Sequence, residues 1–155
     1  MYPAAEVLLG NVDPGQNPVI VGGGLVGCEL ALWLASKGKK VTIVEAEGKI
    51  LALNGPLCHA NSEMLERLVP FRGIEVLTSS KVESATATTV TIAHDGKKTE
   101  RTADSGILAV GYAPETALYQ TVKNQVSDLH LIGDARKVSN IMYAIGDAFE
   151  VASSL

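Results

Sequence analysis

The stretch Val19-Ile20-Val21-Gly22-Gly23-Gly24-Leu25-Val26-Gly27-Cys28-Glu29-Leu30 decides the fold, because a strand period gives way to a helical one across three consecutive glycines. Val19 to Val21 are wholly apolar and β-branched, as in a parallel strand buried on both faces. From Leu25 to Lys37 the period is helical, with Val26, Leu30, Trp33 and Leu34 on one stripe and Gly38 placed as a C-terminal cap. Val41-Thr42-Ile43-Val44 reads as a second buried strand, so Val19 to Val44 make one compact β-α-β unit. The glycines satisfy G-x-G-x-x-G. Taken alone that string is weak, but here it follows a strand and opens a helix, and Glu45 closes the next strand. That context is the fingerprint of a dinucleotide site.

Each position has a mechanical reason. Gly22 permits the tight turn out of the strand, a side chain at Gly24 would collide with a pyrophosphate, and Gly27 lets the helix lie close on the sheet. The unpaired N–H groups at Leu25 and Val26 and the positive end of the helix dipole receive the pyrophosphate charge. An ordinary tight βα turn is the bland alternative. Glu45 is placed to accept hydrogen bonds from both adenosine ribose hydroxyls and would repel a 2′-phosphate, which points to NAD(H) over NADP. The competing reading has Lys49 serving a 2′-phosphate while Glu45 turns away. Glu47 reads as a solvated loop charge.

Outward from this unit, Gln16-Asn17-Pro18 breaks the chain and makes residues 1–17 an incoming segment. A helix is expected from roughly Cys58 to Leu68 and a strand over Ile74-Glu75-Val76-Leu77. Residues 81–103 hold three β-like stretches, and Asp95-Gly96 is a two-residue hairpin signal between the second and third. Ser105 to Val110 returns to a buried parallel strand that runs into Gly111. A short helix is expected near Glu115 to Val122, a strand at Leu129-His130-Leu131-Ile132, and an amphipathic helix from Asn140 to Ser154. The expected class is α/β: a Rossmann-like parallel sheet with helices on one side and a β-meander crossover.

Pro18 to Glu29 resembles the pyridine-nucleotide domain of two-dinucleotide flavoproteins of the disulfide-reductase-like group, in which an acidic residue follows the third glycine by two places, as Glu29 does. The stretch 81–103 looks like the β-meander of that group. Leu108 to Glu115 is similar to its A-x-G-x-x-P-[NE] segment, which implies that Gly111 lies near the nicotinamide nucleotide. Ile132-Gly133-Asp134-Ala135-Arg136, with Asn140-Ile141 and Ala144-Ile145-Gly146-Asp147-Ala148, resembles the returning FAD-domain segment of the enoate reductase and 2,4-dienoyl-CoA reductase family of NADH:flavin oxidoreductases. That likeness implies residues 1–17 arriving from an FAD domain, 18–125 binding NAD(H), and 126–155 returning to FAD through Gly133 and Asp134. The flavin barrel, the iron–sulfur cysteine cluster and a second glycine fingerprint of such enzymes are not in this sequence. The chain therefore reads as a module of a larger flavin enzyme, with FAD held only in that parent and no activity of its own.

Composition narrows the partners. With 13 Lys+Arg against 17 Asp+Glu the net charge is −4, which disfavours nucleic acid and anionic membranes. No apolar run reaches the length of a membrane span, and the first residues lack the charged start of a signal peptide. Cys28 and Cys58 stand without C-x-x-C or metal spacing, and a reducing cytoplasm is expected. No catalytic or metal-binding residue is assigned: His59, His94 and His130 are scattered, and no acid–base constellation is visible. Cys28 reads either as a thiol tuned by the helix dipole or as a small buried side chain. Glu29 either orients backbone near the nicotinamide or merely starts the helix favourably, and Arg136 and Lys137 either meet a flavin phosphate or are solvated. Cofactors are the chemistry-bearing parts of a hydride relay, so the protein need only bind and orient. Two other readings remain: the fingerprint binds FAD, or the chain is a nucleotide-sensing domain without redox work. Ile141, Ala144, Ile145, Ala148, Phe149 and Ala152 form one apolar face on the last helix, which suggests a homodimer through that helix if the flavin domain is not beside it.

Overall fold

The computed structural model describes residues 1–52 and 59–154, those at 59 and 60 by backbone only. Cys58, where the third helix was expected to begin, lies outside the described residues. Two compact units result, Met1–Gly111 and Tyr112–Leu155.

In the first unit, β1 (Tyr2–Pro3) leads into α1 (Ala4–Leu8), and β2 (Pro18–Val21) into α2 (Leu25–Ser36), β3 (Thr42–Val44) and α3 (His59–Phe71). β4 (Glu75–Leu77) follows, then β5 (Ser80–Ala85), β6 (Thr89–His94), β7 (Lys97–Thr102) and finally β8 (Ser105–Leu108). β1, β8, β2, β3 and β4 form a parallel sheet in that order, while β5, β6 and β7 form an antiparallel one. The class is α/β and Rossmann-like, as expected.

Period-two alternation assigns each strand residue to a face. Ile20, Ile43 and Ile107 point into one core with Ala4, Val7, Cys28, Leu30, Ala31, Leu34, Leu65 and Val69, so α1, α2 and α3 share one side. Val19 and Val44 point into the other, made with Val90, Ile92 and Ala103 of the meander region. Both faces are thus covered, which is why these strands are apolar without alternation. Burying each such Val or Ile side chain contributes roughly 1.5–3 kcal/mol. The meander is tied down at its edge by Arg101, which donates to both Glu75 carboxylate oxygens and to Thr42 Oγ1 at 3.1 Å. Its hairpin turns at Asp95-Gly96, both with positive φ (46° and 75°), the mirror-image turn that matches strand twist. Residues 1–17 supply β1, beside β8, and the buried Ala4 and Val7.

One detail of α2 corrects the sequence reading. Its buried face is Gly27, Cys28, Leu30, Ala31 and Leu34, whereas Trp33 is 37% exposed, its ring 3.8 Å from the Lys37 ammonium. The helix lies so near the sheet that small side chains fill the gap at its start, and the indole is turned outward, with the Lys37 ammonium over its ring.

The second unit holds α4 (Ala117–Val122), a 3-10 turn at Gly133–Ala135 and α5 (Ile141–Ser154). The strand expected at 129–132 is not formed, because its backbone groups find no neighbouring strand among the described residues and extended chain is not stable alone. Asn140 Oδ1 accepts the Tyr143 N–H at 3.2 Å and caps α5. The apolar face of that helix is exposed, with Ile141, Ile145 and Phe149 each more than half accessible.

Candidate functional site

The sheet order places β8 on one side of β2 and β3 on the other, so the chain leaves the carboxyl end of β2 at the point where strand order reverses. Open α/β sheets bind ligands in the crevice beyond such ends. The fingerprint turn occupies it. Gly22 has φ +106°, its N–H donates to Val44 O at 2.9 Å, and a Cβ there would sit 2.5 Å from Ala109 O. A Cβ on Gly27 would sit 2.0 Å from Gly22 O, so no side chain fits at that position. Turn, helix start and β8 exit are therefore packed backbone on backbone.

Gly24 is the N-cap of α2, with extended backbone and no side chain capping it. The Cys28 N–H bonds Gly24 O at 3.0 Å, which leaves the N–H groups of Leu25, Val26 and Gly27 ahead of that bond at the positive end of the helix. Among the described residues no lysine or arginine forms an ion pair with Glu45, which is 9% exposed. Its Oε2 accepts the Gly23 N–H at 2.5 Å and its Oε1 the Glu47 N–H at 2.7 Å, and each oxygen keeps lone-pair capacity for a further donor. Gly111, φ +100° and exposed, follows Ala109 at the same end of the sheet. Glu29 is exposed on α2.

Cys28 takes its bland reading. It is fully buried, its thiol donates to Gly23 O at 3.4 Å, and burial, reinforced by the charges of Glu45 and Glu29, pushes its pKa up to about 12. A thiol in that state is inert.

Gly133 and Asp134 belong to the second unit. Gly133, φ +58°, donates its N–H to Asp147 Oδ2 at 2.9 Å, and Asp147 is paired through both oxygens with Arg136. That pairing, then the Gly133 N–H, holds the Asp147 carboxyl below its usual range against the opposing effect of burial. Asp134 Oδ1 accepts the Ser139 N–H at 3.1 Å.

Several contacts escape sequence reasoning. Gly23, an unassigned letter of the fingerprint, is the residue Glu45 grips. Leu51, at φ +62°, donates its N–H to Gly23 O at 2.8 Å, and nothing in a leucine announces that conformation. Asp147 was visible as part of a second Gly-Asp pair, but its bond to Gly133 was not. Ser80, His94 and Asp95 come together, with Ser80 Oγ 3.0 Å from His94 Nδ1 and His94 Nε2 3.4 Å from Asp95. The Ser80 hydroxyl is buried and donates to Thr78 O, so the group ties a loop to the meander and offers no nucleophile. Among the described residues no cluster of His, Cys, Asp and Glu is arranged to hold a metal, and no helix is long and apolar enough to cross a membrane.

Residues 3–154 match the family described as pyridine nucleotide-disulphide oxidoreductase. The chain is 46% identical, over all of its length, to cinnamate reductase of Clostridium sporogenes, and covers 23% of that protein. It is 35% identical over 98% of its length to NADH oxidase of Thermoanaerobacter brockii, of which it covers 24%. It thus spans about a quarter of either relative. The fold of 2-naphthoyl-CoA reductase superposes with a TM-score of 0.85 at 24% identity, over 97% of this chain and 23% of that one.

Proposed function

The chain belongs to the pyridine nucleotide-disulphide oxidoreductase family, and from that premise we propose that it is a nicotinamide-dinucleotide-binding module that positions NADH for hydride transfer to a flavin within a larger enzyme of the enoate reductase and 2,4-dienoyl-CoA reductase kind. One observation carries the reading: a glycine turn closed to side chains at Gly22 and Gly27, opening the N-terminus of α2 beside the buried carboxylate of Glu45. The residues present fit the dinucleotide. The N–H groups of Gly24, Leu25, Val26 and Gly27 suit the pyrophosphate and Glu45 the adenosine ribose, while Gly111 is the residue that the family resemblance sets near the nicotinamide half.

When bound, the dinucleotide supplies the hydride, and the chain's own residues do what remains. They neutralise phosphate charge with backbone dipoles, and they fix the ribose with an anion that disfavours a 2′-phosphate. The name of the cinnamate reductase relative supports an unsaturated carboxylate as final acceptor, and that of the NADH oxidase supports NADH as donor. Both the acceptor and the flavin domain, the partner this reading requires, belong to the larger protein, which works in the cytoplasm on this reading. Gly133 and Asp134 are the residues that resemble a flavin site, and no step is assigned to them.

Calorimetric titration of the 155-residue chain with NADH, NADPH and FAD tests the reading. A single saturable NADH site is expected, at least about tenfold tighter than NADPH, since a 2′-phosphate would meet the Glu45 charge. Absence of NADH binding at millimolar concentration, or tighter binding of FAD than of NADH, overturns it.

A further inference from the structure

Gly23, to which the fingerprint assigns no task, is bonded through both its N–H and its carbonyl. Its N–H is held by Glu45 Oε2 at 2.5 Å. Its carbonyl accepts from the Leu51 N–H at 2.8 Å and from the Cys28 thiol at 3.4 Å. The second Glu45 oxygen is engaged by the Glu47 N–H at 2.7 Å. Leu51 adopts left-handed backbone to make its bond, with its side chain 8% exposed in the core and Ile50 packed against the same cluster. A Cβ on Gly23 would lie 2.9 Å from Ile50 Cγ2 and 3.1 Å from Glu45 Oε2. Glu45 and Leu51 thus hold Gly23 by both its N–H and its C=O, which fixes the two peptide planes on either side of its Cα.

A carboxylate so near a pyrophosphate site is, by charge alone, unfavourable to the ligand. Its presence makes sense if it acts through structure. Among the fingerprint residues 22–27 there is no cationic side chain, so phosphate recognition there rests on backbone N–H groups whose direction must be set before the ligand arrives. We propose that Glu45 is a positioning residue for the phosphate half of the dinucleotide as well as a ribose acceptor: with the Leu51 N–H it clamps Gly23 through the peptides on either side, the second of which carries the Gly24 N–H, so that the N–H groups from Gly24 onward face the pyrophosphate. The inference rests on the dinucleotide reading above.

The two roles separate with a ligand that has no ribose hydroxyls. The full chain and its Glu45→Gln variant are titrated with ADP and with 2′,3′-dideoxy-ADP. A glutamine replaces one of the two carboxylate oxygens with an NH2 that only donates, so in the same geometry it cannot receive both the Gly23 and Glu47 N–H groups. The clamp predicts that Glu45→Gln weakens dideoxy-ADP by about tenfold, the worth of one hydrogen bond to a charged acceptor. A ribose-only role predicts weaker ADP with dideoxy-ADP unchanged, and bare electrostatics predicts tighter dideoxy-ADP. Either result overturns the proposal. Wild-type chain that binds ADP but shows no clamp effect leaves the dinucleotide reading standing, whereas wild-type chain that binds neither ADP nor NADH removes that reading and the clamp with it. Amide exchange in the wild-type chain covers the case of a variant that fails to fold. The Gly23 N–H is expected to be protected and shifted downfield, and exchange as fast as that of an exposed turn amide overturns the clamp by itself.

Discussion

Gly23 and Gly133 each donate their N–H to a carboxylate, and the two carboxylates are treated in opposite ways. At Gly23 the acceptor is Glu45, buried, bound by two backbone N–H groups and paired with no cation among the described residues. At Gly133 the acceptor is Asp147, whose charge is met by Arg136 through both oxygens. An anion held by neutral dipoles keeps its field and its spare lone pairs for a ligand. An anion paired with guanidinium has largely spent both. The same local bond therefore leaves an anion open to a ligand in one place and fastens a turn to a helix in the other.

The largest effect expected to separate the two places comes from adding one methyl group to each. Gly27→Ala puts a Cβ 2.0 Å from Gly22 O, between two backbones that cannot yield. Overpacking of that kind costs about 3 kcal/mol, and NADH binding should be lost with it. Gly133→Ala meets Ala144 Cβ at 3.3 Å and must keep φ +58°, a penalty of about 1–2 kcal/mol. Its NADH affinity should match that of the unmodified chain. Urea unfolding followed by titration decides the matter, and a Gly27→Ala chain that still binds NADH normally would break the argument from close backbone approach.

Replacing the acceptors comes next. Glu45→Arg removes the grip on Gly23 along with the ribose acceptor, so NADH affinity should fall by about 1.5–3 kcal/mol. For NADPH, relief from the Glu45 charge is offset by loss of the same grip, because arginine cannot receive the Gly23 N–H, so its affinity should change little. A clear gain for NADPH would mean that Glu45 acts through the ribose alone. Asp147→Asn should leave both affinities where they were.

The smallest effect is in acid. The Arg136 hydrogen bonds lower the Asp147 pKa from 3.8. A carboxyl whose folded pKa lies below its unfolded one adds stability that is present above the unfolded value and is lost as pH falls through the lowered one. Carbonyl-carbon NMR should find Asp147 titrating below 3.8, and Arg136→Ala should return it toward that value. If the variant leaves the titration in place, Arg136 is not what neutralises Asp147.

How much of this was written in the order of residues differs between the two units. The β2-α2-β3 core, the turn glycines, the acid at Glu45 and the Asp95-Gly96 hairpin are local patterns, in which residue type and spacing state the geometry directly. Trp33 was misplaced because period alone cannot say how closely a helix approaches its sheet. The strand at 129–132 was misread because an apolar run records a preference, while a strand exists only beside another. Leu51 carries no signal at all, since its left-handed backbone is imposed by what its neighbours bury.

Sequence by itself therefore determined the fold class and the place of the glycine turn, for these follow from periods and glycines within a few residues of one another, and it set a carboxylate at the end of the next strand. Tertiary structure alone decided where the two carboxylates look for partners. Glu45 and Gly23, like Asp147 and Gly133, are far apart along the chain, and a hydrogen bond depends on distances that only the packing of strands and helices sets.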